Sequence, residues 1–437
     1  MQETERARIV ILGAGFAGVN VARALTRLLP RDEEACITIV DQNNYMLFTP
    51  MLTEVAGGEV DTRHIVNAVR NLSPRVRFEQ GRVDDVDLAN TLVTLTTGGA
   101  TAVPESRHTL EADHLVLALG SVTDFHGLAD VRQHALTIKT IGDAAAIRNR
   151  ALALLEAAES EPDPEARRRL LTFVVGGGGF SGVETMAALN DLVRSMARRY
   201  RRVQPDEVRT LLVHPQQRLL PELGAGLADY ATKKLQRRGV EVMLNTRLTA
   251  AGPDYVEIED GQRVHTHLLV WTAGVTPSPV IGVLDAKRGQ HGGIVVDACC
   301  RVPGHPGVWA VGDCAEVPQP HGQKTYAPTA QNATREGTRV AKNIAATLRG
   351  QPPRPFTYTP LGELAIVGRH AGVASVYGLH FSGLIAWALW RAIYLAKMPL
   401  MRTRLRVALD WLLDLCCGRE IAELPVLRSS AETKGAP

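Results

Sequence analysis

Two glycine-rich turns carry the spacing in this chain that could do chemistry. The first, Gly13-Ala14-Gly15-Phe16-Ala17-Gly18, follows the apolar run Ile9-Val10-Ile11-Leu12. In a G-x-G-x-x-G turn the first glycine makes a tight bend, the second lets a pyrophosphate approach the backbone, and the third lets helix pack on strand. The helix that follows offers free N–H groups and the positive end of its dipole to the phosphates. Asp41 ends the next β-rich run, residues 37–40, where a carboxylate can accept from ribose hydroxyls. Strand, turn, helix and acid agree, so a dinucleotide site is expected rather than a plain turn.

The second turn, Gly176-Gly177-Gly178-Gly179-Phe180-Ser181-Gly182, places Gly177, Gly179 and Gly182 in the same register after Phe173-Val174-Val175. Its acid is missing. The run at residues 209–213 ends in His214, followed by Pro215, Gln216, Gln217 and Arg218. Without a carboxylate the usual preference for NAD over NADP is not encoded, and Arg218 could face a 2′-phosphate. His214 could equally bond the adenosine ribose, or nothing. The cofactor expected here is NADH or NADPH, with NADH preferred. Glu184, two residues past the last glycine, is expected in the first helical turn. There it either complements the helix dipole or shapes the nicotinamide site.

A third element, Trp309-Ala310-Val311-Gly312-Asp313-Cys314-Ala315, puts an acid after a glycine at a strand end, where it can bind a flavin's ribityl chain. Leu117-Ala118-Leu119-Gly120 and Trp271-Thr272-Ala273-Gly274 are two further strand-to-glycine crossovers. Together these resemble the flavoproteins with two dinucleotide-binding domains, and within them the chain is similar to type II NADH:quinone dehydrogenases. That closer resemblance rests on Phe48-Thr49-Pro50-Met51-Leu52 with Glu54-Val55-Ala56, on Pro328-Thr329-Ala330-Gln331, on Ser382-Gly383 with Ala386-Trp387, Trp390-Arg391 and Tyr394, and on Arg402, Arg404-Leu405-Arg406 and Leu409-Asp410-Trp411.

The resemblance implies bound FAD and hydride transfer from NADH or NADPH to a membrane quinone, menaquinone or ubiquinone, without proton pumping. It implies an FAD site of Gly13, Gly15, Phe16, Gly18, Asp41, Thr49, Val83 and Asp313. It places Gly179, Gly182, Glu184, His214, Ala273 and Gly274 along the nicotinamide nucleotide. Relatives commonly carry Ala-Gln-x-Ala-x-x-Gln beside flavin and quinone. Here Gln331 matches and Glu336 replaces the second glutamine. Glu184, Gln331 and Glu336 are the expected tuning residues of a reaction whose electrons are carried by the cofactors. Two other readings are a soluble flavin reductase serving a protein carrier and an interaction protein resembling apoptosis-inducing factor.

The elements that must position these residues alternate as strand and helix through residue 350, an α/β pattern with two Rossmann-like domains. Residues 1–130 and 281–360 form the expected FAD-binding domain, and residues 131–280 the nicotinamide-binding domain. Residues 361–437 are set apart as a helical segment for membrane association or dimerisation. Strands are expected at residues 8–12, 37–40, 75–97, 109–118, 171–175 and 209–213, helices after Gly18 and over residues 182–199, and a turn at residues 97–102. Residues 161–169 read as an exposed linker. Residues 379–400 are apolar but interrupted by Arg391 and Lys397. The longest clean stretch, residues 381–390, falls short of the ~20 residues a spanning helix needs. Trp387, Trp390 and Tyr394 among leucines suit a helix lying in the membrane surface. A second helix over residues 402–415, led by Arg402, Arg404 and Arg406, shows an apolar face of Leu405, Leu409, Leu412 and Leu413. The body is expected to fold without the residues from Phe381 onward, and the chain after residue 428 to be disordered.

Composition narrows the classes further. The formal charge is +3, from 49 basic and 46 acidic residues, so no global pull toward nucleic acid exists. The polar start lacks a signal-peptide core, so the catalytic part is expected to stay in the cytoplasm. With the two apolar C-terminal helices this gives an expected peripheral position on the cytoplasmic face of the membrane, and a homodimer is a further expectation. The six cysteines form no Cys-x-x-Cys, and no metal site is expected. Disulfide reductases need a cysteine pair soon after the ribose acid, yet residues 42–62 contain none. None of the six sits where sulfide:quinone chemistry would need it, and Cys314 is read as a packed small residue.

Overall fold

Ile9, Ile11 and Leu12 are apolar on successive faces of one run, which suits a strand covered on both sides, and all three are fully buried. The structure, a computed structural model, describes residues 6–29, 35–98, 104–320, 324–419 and 422–423. The disorder expected after residue 428 and part of the turn at residues 97–102 lie outside the described residues. The chain divides into two compact units, each drawing on separate stretches: Met1–Leu47, Val66–Val122 and Val275–Pro360 in the first, Phe48–Ile65, Thr123–Gly274 and Leu361–Pro437 in the second.

In the first unit a five-stranded parallel sheet runs in the order Val308–Ala310, His114–Leu117, Ala7–Leu12, Ala35–Asp41, Val76–Gln80. The Phe16–Leu28 helix packs against the Ala330–Leu348 helix. A Cβ on Gly337 would lie 2.4 Å from the Ala17 carbonyl oxygen, so this close approach requires glycine. A three-stranded antiparallel sheet, Arg82–Asp87, Leu92–Thr97 and Ser106–Glu111, completes the unit's main strands.

The second unit repeats the plan with a four-stranded parallel sheet in the order Val240–Met243, Arg209–Val213, Thr172–Gly176, Leu268–Trp271. The Phe180–Ala197 helix is buried along most of its length. The Ile141–Ser160 helix begins with a reciprocal capping box between Thr140 and Asp143. The expected linker at residues 161–169 is instead largely helical, over Pro164–Leu170. The Asp163 carboxylate accepts from the Glu165 and Ala166 N–H groups, and proline suits the first helical position.

Residues 361–437, set apart by the sequence reading, belong to this second unit, as do Phe48–Ile65. The stretch opens with an antiparallel sheet of Gly362–Ile366, Gly372–Val376 and Leu379–Ser382, which the apolar pattern had hidden. Only then do the Gly383–Lys397 and Met401–Cys417 helices follow. Among the described residues no helix is long and apolar enough to cross a membrane.

Candidate functional site

The cradle of the first unit is built by its glycine turn. Gly13 donates its N–H to the Val40 carbonyl at 2.8 Å and adopts φ +103°. A Cβ there would lie 2.2 Å from the Ala118 carbonyl oxygen, and one on Gly18 would lie 1.9 Å from that of Gly13. Gly15 differs: nothing lies within 4 Å of where its Cβ would point, at the N-cap of the Phe16–Leu28 helix. That open side lies at a helix N-terminus, whose dipole favours an anion. Asp41 holds the turn itself, Oδ2 accepting from Ala14 N–H at 2.7 Å and Oδ1 from Asn43 N–H at 2.8 Å. Burial raises its pKa, and these two bonds oppose the rise.

Just past the carboxyl end of the edge strand Val308–Ala310 of the same sheet, Gly312–Cys314 forms a short 3-10 turn. Asp313 Oδ2 accepts from the Ser121 hydroxyl at 2.7 Å, and Glu336 Oε2 accepts from Gly312 N–H at 2.8 Å. Glu336 is buried, and burial pushes its pKa up to about 7. Gln331, the second residue of the Ala330–Leu348 helix, accepts through Oε1 from the Tyr358 hydroxyl, while the Arg335 guanidinium lies 4.1 Å from the centre of that ring. Val83 is packed in the core. Thr49 is exposed and belongs to the second unit. Cys314 is fully buried, its thiol turned to the Leu117 and Val311 carbonyls and pushed up to about 11 by burial, which is the packed residue expected.

In the second unit Gly177 donates to the Val213 carbonyl at 2.9 Å, and a Cβ on Gly182 would lie 1.8 Å from the Gly177 carbonyl oxygen. Gly179 again has nothing within 4 Å on its Cβ side, at the N-cap of the Phe180–Ala197 helix. His214 is buried, and its Nδ1 accepts from Gly178 N–H at 3.0 Å. Gly274, at φ +142°, accepts from Asp124 N–H at 3.2 Å, and the Ala273 carbonyl oxygen lies 2.5 Å from His126 Nε2.

Glu184 does not complement the helix dipole. It is the fifth residue of its helix, beyond the reach of the N-terminal N–H groups, and the first turn holds no acid. Its Oε1 accepts from Ile366 N–H and from Trp390 Nε1–H, both at 3.0 Å, and burial pushes its pKa up to about 8. Trp390 is therefore a core residue rather than part of a surface aromatic belt; it is 1% exposed.

Around it lies a cluster that the sequence reading missed. Arg391 stacks between Trp387 and Trp411, at 4.2 and 4.6 Å from the ring centres. It pairs with Glu59 at 3.0 Å and Glu54 at 3.9 Å, and Trp411 Nε1–H donates to Glu54 at 2.8 Å. Arg419 reaches Glu59 and Asp414, and His64 Nδ1 lies 2.6 Å from Asp410. Glu54 inside Leu52–Ala56 and Arg391 inside an apolar helix were the available signal: an ionic residue in each of two apolar runs is a candidate buried pair. These contacts fix the C-terminal helices to the second unit, so the Gly383–Lys397 and Met401–Cys417 helices are anchored in its core rather than forming a detachable segment.

One face of the last helix stays uncovered. Leu405 is 66% exposed, Leu409 54% and Leu412 55%, with Leu413 and Met401 exposed beside them.

A family described as pyridine nucleotide-disulphide oxidoreductase matches residues 7–337, and the NDH2 C-terminal domain matches residues 361–420. The chain is 33% identical to the type II NADH:quinone oxidoreductase NdhA of Mycobacterium tuberculosis, over 93% of this chain and 86% of that one. It is 30% identical to a probable NADH dehydrogenase of Dictyostelium discoideum, over 96% and 91% of the two chains. In fold it is similar to NDH2 from Plasmodium falciparum, solved in complex with NADH. The TM-score is 0.87 at 19% identity, covering 96% of this chain and 100% of the other.

Proposed function

The chain belongs to the type II NADH:quinone oxidoreductases, and from that premise we propose how its residues divide the work. The overall reaction is NADH + H⁺ + quinone → NAD⁺ + quinol. FAD, when bound, supplies the two-electron chemistry that joins the two half-reactions. The observation that carries the assignment is the repeated cradle, open at Gly15 in one unit and at Gly179 in the other. The first unit holds FAD: Gly13 to Gly18 and the helix N-terminus take the pyrophosphate, Asp41 fixes the turn, and Asp313 takes the ribityl chain. The second unit holds the nicotinamide nucleotide on Gly179, Gly182, Ala273 and Gly274. Glu184 tunes that site through its Oε2, since Oε1 already takes two donors. Gln331 serves the flavin and quinone end of the first unit, whereas Glu336 acts through Gly312.

The uncovered leucines of the Met401–Cys417 helix, led by the exposed Arg402, support peripheral attachment to a lipid surface, with that arginine drawn to anionic headgroups. We place that surface on the cytoplasmic side, where NADH is available, and assign the quinone to the lipid-soluble class. A homodimer formed through the same segment would bury the leucines instead, and the soluble-carrier reading leaves them unexplained. The decisive experiment compares NADH oxidation with a long-chain quinone in liposomes and with a short-chain one in solution. Lipid attachment predicts vesicle flotation and turnover with both. A protein that stays dimeric, does not float and reduces only the short-chain quinone overturns it.

A further inference from the structure

The ends of the two ribose strands are the same position in two copies of one fold. Val40 accepts from Gly13 and the next residue, Asp41, accepts from Ala14; Val213 accepts from Gly177 and the next residue, His214, accepts from Gly178. The chemistry at that position nevertheless differs. A carboxylate that spends one lone pair on the turn keeps a negative charge and further lone pairs. A neutral imidazole has one acceptor nitrogen, and in His214 that nitrogen is taken. The bond fixes the tautomer with its hydrogen on Nε2, which is itself buried. Burial lowers the His214 pKa, with the Arg218 backbone and Glu222 opposing, so the ring is neutral at ordinary pH. His214 thus supports the glycine turn and offers the cofactor neither charge nor acceptor.

The chain then runs through an arch fixed near both ends. Gln216 accepts from Asn245 N–H at 3.1 Å, and Leu220 donates to the Gly178 carbonyl at 2.8 Å. Between these anchors Arg218 is exposed, and among the described residues its guanidinium has no ion pair. A carboxylate at the strand end selects a free 2′-hydroxyl by accepting from it and repels a 2′-phosphate, whereas an arginine beside that end accommodates the phosphate. Here the repelling group is gone and the arginine is present.

We propose that this chain uses the 2′-phosphorylated nicotinamide dinucleotide as well as the unphosphorylated one, with Arg218 as phosphate partner and His214 as positioning residue. The proposal rests on the second unit being the nicotinamide site and adds to NADH a second class of electron donor. The competing group is Glu222, an exposed carboxylate whose charge reaches His214.

The test is calorimetric titration of the FAD-loaded protein with NAD⁺ and NADP⁺, which bind without reacting. The proposal expects the two Kd values to agree within tenfold and the NADP⁺ Kd to rise more steeply with salt, because a screened charge pair is added. R218Q should raise the NADP⁺/NAD⁺ Kd ratio at least tenfold. H214D, which keeps an acceptor for Gly178 while adding a charge, should raise the ratio by a similar factor. NADP⁺ binding more than tenfold weaker than NAD⁺ in the unaltered protein, or R218Q leaving the ratio unchanged, overturns the proposal. So does E222Q weakening NAD⁺ selectively, since Glu222 would then be the ribose acid. Binding of neither nucleotide would overturn the nicotinamide-site reading itself, a result distinct from selective loss of NADP⁺.

Discussion

Glu336 accepts the Gly312 N–H at 2.8 Å from inside the core of the first unit. The replacement of a glutamine by this glutamate therefore bears on a backbone turn rather than on an exposed substrate surface. Gly312 precedes Asp313 at φ +72°, and a buried N–H left unpaired there costs about 1–3 kcal/mol. E336Q keeps an acceptor and should retain FAD nearly as the parent does. E336L removes it and should weaken FAD affinity roughly tenfold, the equivalent of about 1.4 kcal/mol. Fluorescence of released flavin on dilution measures both, and equal retention in E336L would show that the bond does not support the site.

The same carboxylate gives a pH signature. Burial raises Glu336 from 4.5 to about 7, so the folded chain keeps this proton at pH values where the unfolded chain has lost it. More protons bound in the folded state means that stability from this group falls as pH rises. Relative to E336Q, the parent should lose stability between pH 4.5 and 7, by up to about 3 kcal/mol at ~1.4 kcal/mol per pKa unit. Urea titrations of both proteins at pH 5 and 7.5 read the difference directly. A parent that gains on E336Q across that interval would contradict the assignment.

Glycines of the first turn should divide into two groups. Gly15→Val adds a side chain to open space, so the flavin-free protein should unfold at the parental urea concentration while FAD binding is lost. Gly18→Val instead drives a Cβ into the Gly13 carbonyl and should destabilise the fold by about 3 kcal/mol or more, beyond the usual cost of overpacking. Normal FAD occupancy in Gly15→Val would refute the pyrophosphate assignment.

Arg391 tests the attachment of the C-terminal helices. Removing it leaves Glu59 paired with Arg419 alone and strips the stack between Trp387 and Trp411. R391A should cost about 3–5 kcal/mol, the usual penalty for stranding a buried charge, and should alter the near-ultraviolet circular dichroism of the two tryptophans. A loss under 1 kcal/mol would mean that the cluster does not hold the helices.

The leucine face can be tested without disturbing that core. L405E and L409E place charge on exposed positions, so thermal stability should change little while flotation with anionic vesicles is lost. High salt should weaken binding of the parent without eliminating it, because only the arginine contribution is screened. Full flotation of the double variant would remove the helix from the membrane contact.

The two turns were legible from sequence because each is a local device. Gly13, Gly15 and Gly18, and their counterparts Gly177, Gly179 and Gly182, are required by geometry within a few residues, so type and spacing suffice. The absence of an acid at His214 was equally plain. What His214 does instead was not, since its bond to Gly178 joins residues far apart in the chain, and an imidazole leaves donor or acceptor open until its partner is placed. The Gly362–Ser382 sheet region was hidden because its short strands run straight into an apolar helix, and hydrophobic periodicity alone separates such runs poorly.

By itself the sequence determined that two dinucleotide folds are present, where each glycine turn lies, and that no cysteine pair follows Asp41. Tertiary structure decided which ionisable groups are bound into the scaffold, and to what. Glu336 went to Gly312, Glu184 to Ile366 and Trp390, and Arg391 to Glu54 and Glu59. The physical reason is that a buried charge is tolerated only beside a partner, and that partner is supplied by a distant segment which only the folded chain brings near.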